Sequence, residues 1–259
     1  MNHPLWLLAA VAAVVALMIW QRARRRRALD EQQVARWLDA DLPWRAWLDD
    51  AQRARHLAHT RRLVRRVHFH GCAGQEVDAR MAVTIGGLAA LLTLRARSPM
   101  PNLHAVLVYP GPFWVPQDRP DEDGLVDDEV EVLHSGLSED NGRVLLSWDD
   151  IRQALAGAEH NVAVHEFAHQ LDALSGGEGA PAGAPAERWS QVMHDAWTAF
   201  ERHPSSVIDD YALEGPAEFF AVAVEAFFQR PAVLAAEHRA LHDLLARYFG
   251  LMPGHLPFA

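Results

Sequence analysis

Two histidines stand four residues apart, with a glutamate directly after the first, in the stretch HNVAVHEFAHQLD at residues 160–172. On a helix, His165 and His169 would lie one turn apart on the same face, so both imidazoles could bind one metal ion. Glu166 would be rotated by about 100° from His165, too far to bind that ion but near enough to contact a water beside it. The spacing predicts a metal site of the kind that catalytic zinc uses, and two structural histidines beside a surface glutamate are the alternative.

A catalytic zinc needs a third protein ligand and leaves one coordination position open. The acidic helical stretch at residues 209–231 offers Glu218 and Glu214, four residues apart, and spacing favours Glu218 without excluding Glu214. Glu225 follows Glu218 by seven residues, close to two turns, so both carboxylates would lie on one face of an apolar helix. A buried carboxylate needs a cation or a strong donor, which zinc would supply to Glu218 and a histidine N–H to Glu225.

Two more residues are candidates for the site, each with a simpler alternative. Tyr211 precedes the acidic helix, where its hydroxyl could face the open coordination position, or the ring could serve only in packing. Asp172 ends the histidine motif and could orient an imidazole through its far nitrogen, or contact solvent at the helix end. The remaining histidines are scattered and suggest no further site.

The elements that must position these residues predict α+β architecture, mostly helical with a small sheet. The stretch 31–67 is helical with a break at 41–44, and 76–96 is a buried helix in which Gly86 and Gly87 allow close packing. Short runs rich in β-formers predict strands at 104–110, 131–136 and 143–148. The later helices are predicted at 149–157, 161–174, 187–202, 216–229 and 232–248.

Three connecting features complete this prediction. The acidic stretch 117–129 is expected to be a solvated connection, and the linker 175–187, rich in glycine, proline and alanine, to be irregular. The strand RVLLSW at 143–148 is expected at the edge of the sheet, where it could pair with an extended substrate.

Composition excludes some classes of function. The chain has 259 residues, half of them apolar, a net charge of −10, and arginine as its only basic residue besides histidine. A protein this acidic is not suited to bind nucleic acid through general electrostatics, so no direct nucleic-acid partner is expected. The single Cys72 excludes an internal disulfide, and a metal site must therefore be built from His, Asp and Glu.

The first thirty residues predict a membrane anchor. Residues 4–20 are uncharged and almost wholly apolar, and an arginine-rich block follows at 22–27. That order is typical of a transmembrane helix with a basic stop rather than of a cleaved secretory signal. We therefore predict an anchor over residues 1–30 and a single-pass protein of the inner membrane, with residues 31–259 facing the cytoplasm.

Taken together, the motifs resemble a known family, the Mlc titration factor A zinc peptidases. These are gluzincin-type HExxH metalloproteins with a catalytic core similar to that of anthrax lethal factor. The matching stretches follow the family's order and cover most of residues 40–245: LPW at 42–44, VLVYPGPFWV at 106–115, VLLSWDDI at 144–151, NVAVHEFAHQLD at 161–172 and IDDYALEGPAEFFAVAVEAFF at 208–228.

The resemblance implies a role for each matching site residue. It implies that His165, His169 and Glu218 bind Zn²⁺, that Glu166 is the general base, and that Tyr211 presents its hydroxyl to the transition state. On this basis Glu218 is favoured over its rival as the third ligand.

The resemblance also implies the organisation and activity of the domain. A zincin-like peptidase domain is expected over residues 31–259, with a helical N-terminal part at 31–98 and the zincin core at 99–259. The expected activity is hydrolysis of a peptide or protein substrate, in which a zinc-bound water attacks the peptide bond and a glutamate acts as base. The alternative is a membrane-tethered binding protein that captures a transcription repressor, with a mainly structural zinc.

Overall fold

The computed structural model describes residues 30–120, 126–139 and 141–253. Its α-helices are α1 (Glu31–Asp41), α2 (Asp50–Arg66), α3 (Ala79–Leu92), α4 (Trp148–Leu155), α5 (Val162–Asp172), α6 (Ala186–Arg202), α7 (Pro216–Gln229), α8 (Pro231–Glu237) and α9 (Arg239–Phe249). Its strands are β1 (His68–Gly71), β2 (Ala105–Tyr109), β3 (Phe113–Pro120), β4 (Val126–His134), β5 (Gly136–Glu139) and β6 (Arg143–Ser147). This confirms the predicted α+β architecture, mostly helical with a small sheet.

The main sheet has four strands in the order β1-β2-β6-β5. Strands β1, β2 and β6 run parallel, whereas β5 is antiparallel to β6, with Gly136 opposite Leu146 and Glu139 opposite Arg143. The expectation that 143–148 forms the sheet edge is therefore wrong, because β5 covers β6 on that side. Strand β5 is the edge strand instead, and it lies against helix α5.

A two-stranded hairpin, β3–β4, replaces much of the connection predicted at 117–129. Phe113 lies opposite His134, and the antiparallel register continues outward to Pro120 opposite Val126. Proline and acidic residues are depleted in strands, and both interrupt this part of the sequence, so its alternating pattern was obscured. The backbone pairing of a hairpin tolerates them because these strands pair on one side only.

The core is a continuous cluster of buried apolar residues that runs from Val34 in α1 to Leu251 after α9. Helix α3 continues through Gly86 and Gly87, and neighbouring side chains pack closely on them, as predicted. A Cβ atom on Gly87 would lie 2.6 Å from side-chain carbons of both Leu38 and Leu42. The division into a part at 31–98 and a core at 99–259 stays a prediction.

The predicted localisation has to be corrected. Among the described residues, no single helix is long and apolar enough to cross a membrane. The buried apolar helices α3 and α7 have 14 residues each and so span about 21 Å, less than the hydrocarbon core of a bilayer at about 30 Å. A single-pass inner-membrane protein, with the membrane as a partner, is therefore not supported. The apolar run at residues 4–20 lies outside the described residues.

A buried polar network ties α2 to α3. His56 is completely buried, with Nε2 2.8 Å from the carbonyl oxygen of Gly87 and Nδ1 2.9 Å from Nη1 of Arg45. A carbonyl only accepts and a guanidinium only donates, so the ring must be neutral with its proton on Nε2. Burial, together with the charge of Arg45, lowers the pKa of His56 to about 3.

This network predicts a loss of stability in acid. His56 has an ordinary pKa of 6.5 in the unfolded chain, so its contribution is complete above pH 6.5 and is lost as the pH falls toward 3. At pH 5 the unfolded state gains about 2 kcal/mol from protonating this histidine. In urea unfolding, the free energy of unfolding of the wild type should fall between pH 8 and pH 5. In His56→Gln this loss should be smaller by about 2 kcal/mol. The same substitution at the exposed His203 should leave the loss unchanged, and equal losses in His56→Gln and wild type would contradict the assignment.

Candidate active site

Helix α5 carries the histidine motif and is fixed at its start and along one face. Asn161 caps the helix, and its side-chain oxygen accepts a hydrogen bond from the N–H of Val164 at 3.1 Å. Val164, Phe167 and Ala168 are fully buried in the core. Because that face is fixed, the rotation of the helix is fixed, and the two histidines are directed toward α7.

Helix α7 supplies the carboxylates. It begins at Pro216. Proline is suited to this position because an N–H in the first turn of a helix has no partner within the helix, so nothing is lost without it. Helix α7 packs against α5. Glu218 lies in its first turn and Glu225 two turns later, both toward α5, while the phenylalanines between them enter the core.

Three side chains from the two helices converge on one point. The Nε2 atoms of His165 and His169 are 3.2 Å apart, and they lie 3.2 Å and 3.3 Å from Oε2 of Glu218. Ligand atoms around a tetrahedral zinc, each about 2.0–2.1 Å from the ion, are separated by about 3.3 Å. The triangle therefore has the size that zinc requires. Within the described part of the chain, this is the group of His, Cys, Asp and Glu side chains that could hold a metal ion.

The chemistry of these atoms also suits a cation. Oε2 of Glu218 is buried and makes no hydrogen bond to any described residue, although two imidazole nitrogens lie beside it. A buried carboxylate oxygen without a donor is unfavourable, and a metal ion at the centre of the triangle would satisfy it together with both ring nitrogens. Glu214, the rival third ligand, is exposed and lies outside this group.

Glu225 lies at Nδ1 of His165, whereas Glu218 lies at Nε2 of the same ring. Its Oε2 is 3.2 Å from Nδ1 of His165, and because a carboxylate only accepts, Nδ1 carries the proton. In the neutral ring, the lone pair of Nε2 then faces the centre of the triangle. Burial would raise the pKa of Glu225, but its hydrogen-bond donors outweigh burial and lower it to about 2.

Two other donors to Glu225 are absent from the sequence-based prediction. Its Oε1 accepts from Nδ1 of His160 at 3.0 Å and from the backbone N–H of Asn161 at 3.1 Å. His160 was among the histidines to which no role was assigned, because no helical spacing relates it to the motif. It directly precedes the residue that caps α5, and that position could have suggested the contact.

Glu166 is buried between α5 and the edge strand, with 6% of its surface exposed. A Cβ atom on Gly136, the first residue of β5, would lie 2.5 Å from Oε1 and 2.7 Å from Cγ of Glu166. Burial raises the pKa of Glu166 to about 7, against the attraction of His165 and His169. A carboxyl group with a pKa near neutrality can both accept and release a proton. Sequence reasoning did not identify Gly136, because only the packing of β5 on α5 brings it here.

Tyr211 lies in the short 3-10 turn Asp210–Glu214 before α7, with its ring centroid 6.1 Å from that of His165. The ring is partly exposed rather than packed into the core. The pKa of Tyr211 is raised to about 12, first by burial and then by the negative charge of nearby carboxylates such as Glu218. The hydroxyl therefore keeps its proton near neutral pH.

Asp172 binds the loop that follows α5. Its carboxylate oxygens accept hydrogen bonds from the backbone N–H groups of Gly179 and Ala180, at 2.7 Å and 2.8 Å. The irregular linker predicted at 175–187 is thereby attached to the end of the motif helix. A contact between Asp172 and an imidazole stays a prediction.

Comparisons with known proteins show which sequences this chain resembles. A family model described as glucose-regulated metallo-peptidase M90 matches residues 17–250. An uncharacterised protein of Synechocystis, slr2042, is 31% identical over 265 residues, covering 95% of each chain. Proteins named Mlc titration factor A from Yersinia pestis and Yersinia pseudotuberculosis are 30% identical over 230 residues, covering 84% of this chain and 85% of theirs.

The geometry predicts which glutamate binds metal. Glu218→Gln should weaken zinc binding by more than about 100-fold, because loss of a ligand should exceed the 10- to 100-fold effect of losing a residue that only orients one. Glu214→Gln is the matched control, four residues earlier and exposed, and should bind zinc as the wild type does. Competition titration with a chromophoric chelator measures both affinities. Weaker binding by Glu214→Gln together with unchanged binding by Glu218→Gln would reverse the assignment.

Proposed function

The chain belongs to the glucose-regulated metallo-peptidase M90 family, and we propose that it is a zinc-dependent peptidase in which His165, His169 and Glu218 hold the metal. The observation that carries this proposal is the triangle of ligand atoms with sides of 3.2–3.3 Å, in which a buried oxygen of Glu218 has no other donor. Zinc suits this set because two imidazoles, one carboxylate and an open fourth position form a catalytic zinc site.

Bound zinc would supply Lewis acidity, which polarises the carbonyl of a peptide bond and makes a water at the site more acidic. Glu166 takes a proton from the water that adds to the carbonyl carbon, and delivers it to the amine that leaves when the C–N bond breaks. Its pKa of about 7 suits both transfers. Its burial beside the two histidines, rather than among the ligand atoms, supports a role in proton transfer.

Tyr211 is proposed to stabilise the carbonyl oxygen as negative charge develops on it. The raised pKa of its hydroxyl keeps the proton available for donation, and its partial exposure leaves the hydroxyl accessible to a substrate. Glu225 is proposed to orient His165, with His160 and the backbone of Asn161 fixing that carboxylate in turn.

The edge strand β5 is proposed to align the substrate. It pairs with β6 on one side, and Gln170 of α5 holds its far end through Ser138 Oγ at 2.7 Å and the carbonyl of Glu139 at 3.1 Å. An extended peptide could add to the free side of such a strand through backbone hydrogen bonds, beside Glu166.

A second candidate is the binding of a transcription repressor, favoured by the name Mlc titration factor A that some relatives carry. This role need not exclude hydrolysis. A purely structural zinc would require neither a buried carboxylate at Glu166 nor an accessible hydroxyl at Tyr211, so these residues favour retained chemistry.

Replacement of the proposed base should separate catalysis from metal binding. Glu166→Gln should abolish cleavage of a peptide library, because an amide cannot accept the proton, and should keep one zinc per chain by atomic absorption. Tyr211→Phe is the comparison variant, with reduced turnover and unchanged zinc content. Full activity in Glu166→Gln would exclude this base, and loss of zinc would mean that the residue is structural.

The contact between β5 and Glu166 predicts that a methyl group added at Gly136 lowers activity. Gly136→Ala places a carbon 2.3 Å from Cγ2 of Val162 and 2.5 Å from Oε1 of Glu166. Displacement of the base should lower kcat by about 100-fold, with zinc content unchanged. Gly111→Ala, whose new carbon would meet its nearest neighbour at 3.8 Å, is the matched control.

The double variant Gly136→Ala/Val162→Ala tests which contact matters. It relieves the clash with the valine but leaves the clash with the glutamate, so kcat should stay low. Recovery of activity in the double variant would show that the glycine serves the packing of Val162 and not the position of Glu166.

A further inference from the structure

Among the described residues, five large apolar side chains are exposed, and four of them lie on two segments that adjoin the proposed site. Tyr211 and Leu213 lie in the turn before α7, where the ring centroid of Tyr211 is 6.1 Å from that of His165. Trp114 and Leu133, 61% and 52% exposed, lie on the hairpin that leads into β5. Only Met252 lies elsewhere. Exposed apolar side chains that cluster around a site indicate a binding surface, whereas isolated ones do not.

The hairpin presents Trp114 and Leu133 together. They are opposite each other in the antiparallel register, so both side chains project from the same face. The neighbouring Phe113 projects to the other face, where it is buried and stacks on Tyr109 with ring centroids 4.3 Å apart. Because the inner face is anchored in this way, the apolar pair is held outward.

The pair is also close to the proposed base. Leu133 precedes Gly136 by three residues, a distance of at most about 11 Å along an extended chain, and Gly136 packs on Glu166. Strand β5 leads from Gly136 to Ser138 and Glu139, which Gln170 holds by hydrogen bonds. Because three residues of an extended chain cover about 11 Å, three or four residues of a bound polypeptide would reach from beside Glu166 to the pair.

The small size of the surface indicates what it binds. Two such side chains expose on the order of 200 Å², whereas a stable protein interface buries about 800 Å² on each partner. A second copy of the chain would need far more surface than the pair provides. One apolar side chain of a bound polypeptide matches its extent and its lack of charge.

We propose that the Trp114–Leu133 face of the hairpin is a substrate subsite that binds an apolar side chain three or four residues from the bond to be cleaved. This assignment rests on the proposed peptidase function, since it names part of the substrate which that site would act on. Strand β5 would hold the polypeptide backbone, and the hairpin would select one of its side chains.

Peptide binding to the zinc-loaded full chain tests the subsite apart from catalysis. The Glu166→Gln background prevents turnover, and fluorescein-labelled peptides carry a single phenylalanine moved stepwise through an alanine–serine sequence. Trp114→Ala and Leu133→Ala should each weaken binding by about tenfold, the effect of no longer burying one apolar side chain. The loss should be confined to peptides whose phenylalanine lies three or four residues from the cleavage point, which mass spectrometry maps with the active enzyme. Met252→Ala, which removes another exposed apolar side chain, should bind every peptide unchanged.

The outcomes separate this inference from the proposed function. If the wild type cleaves the peptides but both hairpin variants bind them as Met252→Ala does, the subsite is excluded and the peptidase stands. If the wild type cleaves none of them but the hairpin variants lose phenylalanine-dependent binding, the surface binds peptides and hydrolysis is excluded. Loss of binding to every peptide, with or without phenylalanine, would also overturn the subsite, because an apolar subsite must discriminate. Thermal unfolding of each variant verifies that it is folded.

Discussion

Two carboxylates on one apolar helix determine the arrangement of this site. Glu225 projects from α7 between phenylalanines of the core, and Glu218 is partly buried in the first turn of the same helix. An ionised group without a partner is unfavourable in such surroundings. Glu225 is stabilised by two imidazoles and a backbone N–H, all from α5 and the residues just before it. Oε2 of Glu218 lies 3.2 Å and 3.3 Å from two imidazole nitrogens, an arrangement that a metal ion at the centre of the three atoms would satisfy. The site therefore depends on the packing of α7 against α5.

Helix α5 meets these requirements because each of its faces has a different task. One face packs into the core through Val164, Phe167 and Ala168 and sets the rotation of the helix. That rotation directs the two histidines at α7 and places Glu166 against β5. The positions of the proposed metal ligands and of the proposed base thus depend on apolar packing that takes no part in the chemistry. A small change in how α5 sits on the core would disturb all of them together.

The edge of the sheet adjoins this centre. Strand β5 follows the hairpin after one residue and packs against α5, where a polypeptide substrate is proposed to bind. An extended polypeptide lying there would have backbone partners on β5 and exposed apolar side chains on the hairpin. The close packing of Gly136 on Glu166 lets the strand approach the helix, and any larger residue at that position would intrude on the base.

The sequence by itself determined what depends on spacing within one helix. A spacing of four residues from His165 to His169 and of seven from Glu218 to Glu225 assigns each pair to one helix face, and Asn161 and Pro216 mark where those helices begin. Only the tertiary structure decided which elements meet. It made β5 rather than β6 the edge of the sheet, formed a hairpin where proline and acidic residues suggested a connection, and brought His160 to Glu225 and Gly136 to Glu166. Those contacts join residues with no periodic relation in the chain, and the packing of whole elements on a shared core fixes them.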